Sequence, residues 1–328
     1  MSGRPINIAL VGAGEWSLKY HIPTIQALSD QWNLRVRGVW NRTKQKAEEC
    51  ARRYGVPRVY ESLQELVDDP GVDCRVVVVS RTALAGILEV LSERSLPFLC
   101  EKPPGASGSE ARSIAGRVSV PNVVAFNRRY SPLNRKLREI MEAGSLEPHY
   151  AECSLLRRAR NDEHFVTETG IHAINYLEAL FGPVRTAQTD MYPVPGTQVH
   201  NRVVDVVFSS GVRGVMKFFP YSGIAVERYE IQGMNHAAYL HTAQHYTDED
   251  ESALTVNREG PTGSLDSERF TDEGADPLVA AGFVGEYEDF FRAVRDPRHE
   301  TLSNFGNAVH SMLVAEAIEA GTDFHDEV

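Results

Sequence analysis

Two side chains in this sequence have neighbours that suit them to acid–base or charge-stabilising chemistry. Lys102 lies in the sequence Glu-Lys-Pro at 101–103, after a short apolar segment, and a lysine can stabilise negative charge that develops on an oxygen atom. His172 follows Glu168 by four residues, which puts both on one face of a helix, where the carboxylate can orient a histidine that exchanges protons near pH 7. Each motif alone could also be an ordinary surface turn or a packed helical histidine.

A glycine-rich turn is the second chemical signal. Gly12 and Gly14 follow the first apolar segment and open a predicted helix. The first glycine permits a tight turn, and the second lets the backbone approach a pyrophosphate. The position predicts a dinucleotide site that also includes Glu15 and Trp16, with Ser17 where a third glycine is common. The alternative is an ordinary strand-to-helix turn.

The residues after the second predicted strand indicate which dinucleotide binds. An acidic side chain there would bind the ribose hydroxyls and repel a 2′-phosphate, but this sequence has Asn41, Arg42 and Thr43. Asparagine removes the repulsion, and Arg42 can pair with a phosphate and stack on adenine. We therefore expect NADP in preference to NAD. Alternatively, Arg42 and Lys44 only form a solvated helix start.

The elements that must position these residues fall into two domains. Strand and helix signals alternate through residues 1–127, which predicts an α/β Rossmann domain with a parallel, doubly wound sheet. In residues 128–328 β-rich segments dominate, with a helix at 170–180 and two more near the end, which predicts an α+β domain. The acidic, turn-rich segment 248–274 is expected to be a long loop.

Composition disfavours several classes of function. The formal net charge of −11 disfavours nucleic-acid binding. No run approaches the ~18 apolar residues of a membrane span, and no secretory segment is seen, so we expect a cytoplasmic protein without membrane association. The four cysteines form no Cys-x-x-Cys pair, and His236, His241 and His245 match no zinc spacing, so no metal site is expected.

Together these motifs resemble the Gfo/Idh/MocA family of NAD(P)-dependent oxidoreductases over nearly the whole chain. The resemblance rests on the glycine turn, on Glu-Lys-Pro at 101–103, on Asn-Arg-Arg-Tyr at 127–130 and on Gly-x-His at 170–172. It implies a Rossmann domain followed by an α+β domain with a large, mostly antiparallel open sheet. Through such a sheet family members commonly form homodimers or homotetramers.

The resemblance also implies roles for individual residues. Lys102 and His172 would be the catalytic pair, and Glu168 falls where the family usually has an aspartate. The remaining residues expected at the cofactor are Ser80, Arg81, Glu101 and Lys102 itself. The residues expected at the substrate are Arg129, Tyr130, Arg157 and Asn175. The cluster of Arg157, Arg158 and Arg160 could bind a carboxylate or phosphate, or only form a solvated loop.

From these motifs and the resemblance we expect an enzyme that transfers a hydride between the nicotinamide and the hydroxyl or keto carbon of a sugar-like small molecule. His172 would take the hydroxyl proton and Lys102 would stabilise the same oxygen, which requires a cleft between the domains. One alternative is a reductase of a non-sugar carbonyl, imine or conjugated double bond. Another is a cofactor-binding sensor without turnover, because Ser-Arg-Thr at 80–82 departs from the Thr-Pro-Asn that is frequent in the family.

Overall fold

The chain divides into two compact units. The computed structural model describes residues 4–144, 146–243, 251–260 and 263–326. The first unit consists of Met1–Asn127 and Phe283–Val309, and the second of Arg128–Gly282 and His310–Val328. The sequence patterns predict that every residue after 127 belongs to the second domain. Phe283–Val309 belongs to the first unit instead, because its aromatic side chains are part of that unit's core.

A five-stranded parallel sheet with the order β2-β1-β3-β4-β5 forms the centre of the first unit and confirms the Rossmann prediction. Its strands are β1 (Ile6–Val11), β2 (Leu34–Trp40), β3 (Cys74–Val77), β4 (Phe98–Cys100) and β5 (Asn122–Val124). Its helices are α1 (Ile22–Ala27), α2 (Ser29–Trp32), α3 (Lys44–Tyr54), α4 (Leu63–Asp68), α5 (Arg81–Leu91), α6 (Gly108–Ala115) and α10 (Phe283–Arg295). A π-helical segment, Ser17–His21, precedes α1.

The core of the first unit depends on residues from both ends of the chain. The central strands β1 and β3 are buried almost throughout, as expected for a parallel sheet that helices cover on both faces. Helix α10 adds Tyr287, Phe290 and Phe291, all fully buried in the same cluster as Ile8 and Leu10. Truncating one such ring to alanine costs about 3–5 kcal/mol of stability.

A nine-stranded sheet forms the second unit, in the order β13-β12-β11-β10-β6-β9-β8-β7-β14. Neighbouring strands are antiparallel except for β6 and β9, which confirms the mostly antiparallel open sheet. The strands are β6 (Pro148–Leu156), β7 (Val184–Pro193), β8 (His200–Phe208), β9 (Arg213–Phe219), β10 (Val226–Gly233), β11 (His236–His241), β12 (Ala253–Glu259), β13 (Leu265–Thr271) and β14 (Phe324–His325).

The remaining helical elements accompany this sheet. They are the 3-10 turn Asn127–Tyr130, α7 (Pro132–Glu142), the π-helical segment Val166–Gly170, α8 (Ile171–Phe181), α9 (Pro277–Ala280) and α11 (Phe305–Ala320), whose last residues belong to this unit. None of the helices in the described ranges is long and apolar enough to cross a membrane.

The expectation of a long loop at 248–274 is wrong for most of that segment. Residues 248–250 and 261–262 lie outside the described residues, as does His245, but β12 and β13 form an antiparallel hairpin at the edge of the sheet. Strand β13 is exposed along almost its whole length and carries charged side chains, as edge strands often do. It therefore lacks the alternation of apolar and polar residues from which a strand is recognised.

Candidate functional site

The glycine turn and the Glu-Lys-Pro turn lie at the same edge of the parallel sheet. The amide of Gly12 donates to the carbonyl of Trp40 (2.8 Å), and the amide of Glu101 donates to the carbonyl of Val77 (3.0 Å), so both turns continue the ladders at the carboxyl ends of the strands. In open α/β sheets, ligands bind outside this edge where the strand order reverses, which here is between β1 and β3.

The backbone of the glycine turn leaves room for a ligand. Gly12 has φ +106°, and a Cβ atom there would lie 2.0 Å from the carbonyl oxygen of Val78, so only glycine fits. A Cβ atom on Gly14 would meet nothing within 4 Å, so the backbone at that point is open. This open backbone fits the requirement of a dinucleotide pyrophosphate for close approach to peptide N–H groups.

Ser17 takes the place of the third glycine at the start of the π-helical segment. Its side chain is fully buried, and its Oγ donates to the carbonyl of Gly12 (3.0 Å), which ties the helical segment to the turn. Glu15 and Trp16, which the sequence places at the cofactor, are exposed on the turn. The indole Nε1 of Trp16 donates to a carboxylate oxygen of Glu101 (2.9 Å).

Asn41 connects the end of β2 to the glycine turn. Its Oδ1 accepts from the amide of Ala13 (3.0 Å), and its Nδ2 donates to the carbonyl of Thr43 (3.0 Å), the residue before α3. An uncharged amide thus stands where NAD-specific proteins place a carboxylate.

Arg42 is the cation available beside Asn41. Its neighbour Lys44 is paired with Glu61 (2.7 Å), whereas Arg42 is exposed and makes no ion pair within the described ranges. A guanidinium group in this position can bind the 2′-phosphate of NADP.

Glu101 forms a buried polar network with residues from two distant parts of the first unit. One carboxylate oxygen lies 2.9 Å from Nε2 of His21, whose Nδ1 lies 2.8 Å from the hydroxyl of Tyr287 on α10. Burial acts to raise the pKa of Glu101, but His21, the charge of Lys102 and the indole of Trp16 together lower it below its usual value. The residue before Lys102 is therefore a fixed anion.

Lys102 directly follows this network in the chain. Its side chain is half-buried, and the peptide bond to Pro103 is cis. Ser80 and Arg81 lie at the start of α5, after β3 at the same edge of the sheet, and Nη1 of Arg81 donates to the carbonyl of Ala106 (2.8 Å), just beyond the lysine turn. The structure thus brings the predicted cofactor residues of the first unit to one sheet edge.

His172 is buried near the start of α8 in the second unit. The preceding Gly170 packs against the ring of Phe218 on β9, because a Cβ atom there would lie 3.0 Å from two ring carbons. The carboxylate of Glu319 accepts from the amides of Val166 (2.6 Å) and Thr167 (3.1 Å), which fixes the beginning of the helical segment. These contacts hold the histidine in place from the sheet and from α11.

Glu168 lies in the π-helical segment rather than in a regular α-helix. The amide of Ile171 bonds to the carbonyl of Val166, five residues earlier, so the four-residue spacing to His172 does not place the two side chains as on an ideal helix. The side chain of Glu168 is half-buried. Its pairing with His172 stays a prediction.

Two of the predicted substrate residues, Arg129 and Asn175, are in contact. Nε of Arg129 donates to Oδ1 of Asn175 (2.6 Å), and Nη2 donates to its carbonyl (3.1 Å). Nδ2 of Asn175 donates to Ser311 (2.9 Å), which donates to Glu178. Burial lowers the pKa of Arg129. The neighbouring Tyr130 is buried in the 3-10 turn.

Arg157 is buried and paired with a carboxylate of its own chain. Its Nη2 lies 2.9 Å from Glu227, which also accepts both parallel hydrogen bonds of Arg128 (3.0 Å each). Burial acts to raise the pKa of Glu227, but the two guanidinium groups lower it to about 2. A substrate anion would have to displace Glu227 to bind Arg157. The pairing thus supports the positioning of β10 beside β6.

Sequence reasoning did not identify His21, Tyr287 or Glu227. The hydrogen bond between His21 and Tyr287 joins residues 266 positions apart, and no local pattern indicates such a contact. His21 does follow the glycine turn on the same predicted helix, so its type and place were a usable signal. The sequence gives no such signal for Glu227, because a single acidic residue in a strand pattern resembles a solvent-facing position.

The described residues include no cluster of three or more histidine, cysteine or acidic side chains that could hold a metal ion. For a dinucleotide, the open turn at Gly14, the uncharged Asn41 and the cation of Arg42 are compatible with the phosphates and the adenosine ribose. The residues that would hold the nicotinamide end are those beyond β3 and β4, around Ser80 and Glu101.

Comparison with known proteins supports this interpretation of the first unit. Residues 6–126 match the model of the Gfo/Idh/MocA proteins, described as an oxidoreductase family with an NAD-binding Rossmann fold. Inositol 2-dehydrogenase of Streptomyces avermitilis is 27% identical over 215 residues, which cover 62% of this chain and 61% of that protein. An uncharacterised protein of Saccharomyces cerevisiae is 27% identical over 197 residues, which cover 54% of this chain and 56% of that protein. The chain thus spans about half to three fifths of the length of these relatives.

Solved structures resemble the chain over almost its full length. Levoglucosan dehydrogenase in complex with NADH and L-sorbose superposes with a TM-score of 0.82 at 17% identity, over 98% of this chain and 99% of that protein. Because the sequence identity is low, this similarity establishes the fold of each unit and nothing about its activity.

Proposed function

Because residues 6–126 are a Rossmann domain of the Gfo/Idh/MocA oxidoreductase family, we propose that the chain is an NAD(P)-dependent dehydrogenase or reductase. It would transfer a hydride between the nicotinamide and the hydroxyl or keto carbon of a sugar-like substrate. The observation that carries this proposal is the position of Lys102. It directly follows the buried anion Glu101, at the sheet edge where the open glycine turn also lies.

When bound, the nicotinamide supplies or accepts the hydride. Lys102 donates a hydrogen bond to the substrate oxygen and stabilises the negative charge that develops there. His172 accepts the hydroxyl proton in oxidation and returns it in reduction. Glu168 is proposed to support the protonated form of His172. The buried network of Glu101, His21 and Tyr287 limits the freedom of the turn that carries the lysine.

A sugar or polyol is the proposed substrate class. Inositol 2-dehydrogenase and levoglucosan dehydrogenase are named for such compounds, and the latter structure contains L-sorbose. In the second unit, the half-buried Arg129 is the proposed hydroxyl-binding group, and the fully buried Asn175 holds its guanidinium in place. Together with Tyr130 they are the proposed substrate residues, and Arg157 supports them through Glu227.

NADP is the proposed cofactor in preference to NAD. The support is the uncharged Asn41 together with the exposed guanidinium of Arg42, which makes no ion pair with any of the described residues. The backbone of the glycine turn would hold the pyrophosphate of either dinucleotide equally well, so the choice depends on this pair.

A homodimer or homotetramer is the proposed assembly, through the open sheet of the second unit. Large apolar side chains are exposed on its strands: Met191, Tyr192, Tyr239 and Leu265. These side chains lie on strands near both ends of the sheet, and a contact with a second copy would remove their apolar surface from water. Light scattering of the purified protein would test this, and a monomer at micromolar concentration would contradict it.

The activity is tested by hydride transfer, followed as absorbance at the nicotinamide wavelength. The purified protein is offered NADP or NAD with a panel of inositols, aldoses and keto-sugars, and a second panel of aliphatic and aromatic carbonyls, imines and enones. We expect turnover in the first panel. Turnover confined to the second panel would contradict the substrate class, and tight cofactor binding without turnover of any compound would favour a sensor.

A further inference from the structure

A cavity of about 290 Å³ lies in the first unit at the end of the parallel sheet opposite the glycine turn. It is bounded by the amino-terminal ends of β3 and β4, the carboxyl end of α5 and the segment after α6. Its wall has an apolar part formed by Leu88, Leu91, Phe98 and Ile114, and a basic part formed by Arg75, Arg94 and Arg117. Neither the glycine turn nor the Glu-Lys-Pro turn contributes to it.

Arg75 is the unusual residue of this wall. It is 2% exposed, and its Nη1 donates to the carbonyls of Leu91 (2.7 Å) and Arg94 (2.9 Å) at the end of α5. Its Nε and Nη2 are buried and have no hydrogen-bond partner within the described ranges. Burial, helped by the charge of Arg94, lowers the pKa of Arg75 to about 10. Among the described residues, no carboxylate compensates this guanidinium charge.

The unpartnered Nε and Nη2 form one edge of the guanidinium group, and that edge binds carboxylates elsewhere in this chain. Arg128 uses it for both oxygens of Glu227 (3.0 Å each), and Arg160 uses it for both oxygens of Asp162 (2.7 and 2.8 Å). The two parallel donors match the planar carboxylate and make such pairs strong and selective. Arg75 lines the cavity, and none of the described residues places an acid on its Nε and Nη2 edge.

The other charged groups of the wall do not replace this missing acid. Glu89 is exposed and forms no ion pair with Arg75 among the described residues. Arg94 donates to the carbonyls of Asp69 and Val72 behind the wall, and Nε of Arg117 donates to the carbonyl of Ser113. Both arginines keep their positive charge near the cavity, which makes it more attractive to an anion.

We propose that this cavity is a binding site for a small organic carboxylate with an apolar body. The carboxylate group pairs with the Nε and Nη2 edge of Arg75, and the body lies on Leu88, Leu91, Phe98 and Ile114. The volume suits a compound of the size of benzoate or hexanoate, near the lower limit for ligand pockets. The site is separate from the proposed active site, so it stands whether or not the chain is a dehydrogenase.

The test is a titration of the full chain with sodium benzoate and hexanoate, followed by calorimetry and by the shift of the melting temperature. Benzamide has the shape of benzoate without its charge, and inorganic phosphate has the charge without the apolar body. We expect one saturable site for benzoate or hexanoate, and binding of benzamide and phosphate weaker by about tenfold or more, because charge-assisted bidentate pairs and apolar contact are both needed.

Three variants locate the site. Arg75→Met keeps the apolar volume, and we expect it to weaken benzoate binding by about tenfold or more. Ser119→Trp places an indole at the exposed rim and should block entry while Arg75 stays in place. Arg52→Met removes an exposed arginine on α3 and should bind like the wild type.

The Ser119→Trp variant decides the matter if Arg75→Met does not fold, which circular dichroism would show. Benzoate binding that survives in every folded variant among these would overturn the proposal, as would an absence of binding at millimolar concentration. Phosphate binding tighter than benzoate binding would replace the organic carboxylate by an inorganic anion and overturn the ligand class.

Discussion

Nε2 of His21 lies 2.9 Å from the carboxylate of Glu101, so the turn that carries Lys102 is connected through a buried histidine to the hydroxyl of Tyr287. Two ring nitrogens serve two partners, and the histidine itself is completely buried. Removing the imidazole would remove a hydrogen-bond partner from both the Glu101 carboxylate and the Tyr287 hydroxyl. Removing the tyrosine hydroxyl would leave the hydrogen bond between His21 and Glu101 intact.

His21→Phe should therefore destabilise the protein by about 2 kcal/mol or more, because buried polar groups would lose a partner. Tyr287→Phe is the control and should cost about 1 kcal/mol. Urea unfolding measures both. Equal losses in the two variants would mean that the bond to Glu101 contributes little.

Changing Asn41→Asp together with Arg42→Ala should shift cofactor preference from NADP towards NAD. The new carboxylate repels the 2′-phosphate, and the lost guanidinium removes a charge-assisted bond, so NADP affinity should fall by about tenfold to a hundredfold. Fluorescence titration of wild type and variant with both cofactors checks this. Tighter binding of NAD than NADP by the wild type would contradict the assignment.

Lys102→Ala should leave cofactor binding nearly unchanged and lower turnover by about 10²–10³, the effect of one positioned donor to a developing oxyanion. His172→Ala should lower it by about 10²–10⁴, the usual range for a general acid or base. The double variant should lose less than the product of these factors, because the two residues act on one proton transfer. Single-turnover hydride transfer is the measurement, with Lys46→Ala as the exposed control.

Wild-type turnover by the Lys102→Ala variant would remove that residue from the catalytic assignment.

Glu168→Gln should move the acidic limb of the pH–rate profile to lower pH. A carboxylate favours the protonated imidazole, so its removal lowers the pKa of His172, and the neutral base required for oxidation is then present at lower pH. The loss of rate should be smaller than in His172→Ala. An unchanged profile would assign Glu168 a purely structural role in its π-helical segment.

Glu227→Gln should destabilise the second unit by about 3–5 kcal/mol near neutral pH, because two buried guanidinium groups lose their shared anion. The half-buried pair of Glu152 and Lys217 on the same sheet is open to solvent on one side and provides the control, since Glu152→Gln should cost at most about 1 kcal/mol. Urea unfolding at several pH values measures both.

The folded pKa of Glu227, about 2, lies below its usual value of 4.5. The ionised Glu227 therefore contributes its full stabilisation at pH values above 4.5, and this contribution is lost as the pH falls through about 2. The difference in the free energy of unfolding between wild type and Glu227→Gln should become smaller as the pH falls over this range. A constant difference would show that the charge of Glu227 is not its cause.

Local patterns predicted most of the first unit but only part of the second. Strands of a parallel sheet are buried on both faces, so segments such as β1 and β3 stand out as apolar runs, and glycine positions mark the turns. The hairpin of β12 and β13 was missed because an exposed edge strand has no apolar periodicity. The π-helical start of α8 was missed because its register depends on Glu319 and on packing against Phe218.

The candidate site shows the same division. The roles proposed for Gly12, Asn41 and Lys102 depend on residue type and local position, so they can be predicted from the sequence. The pairing of Arg157 with Glu227 and of His21 with Tyr287 depends on contacts between distant segments. A single sequence contains the charges of these groups but not their partners.

The return of Phe283–Val309 to the first unit has a consequence for synthesis on the ribosome. Tyr287, Phe290 and Phe291 complete the core around β1, but the 155 residues 128–282 are translated before them. At about 5–20 residues per second, the amino-terminal part of the nascent chain waits roughly 8–30 s for its missing helix. During that interval its apolar surface is open to chaperones, and the second unit is itself completed only after His310–Val328 have followed.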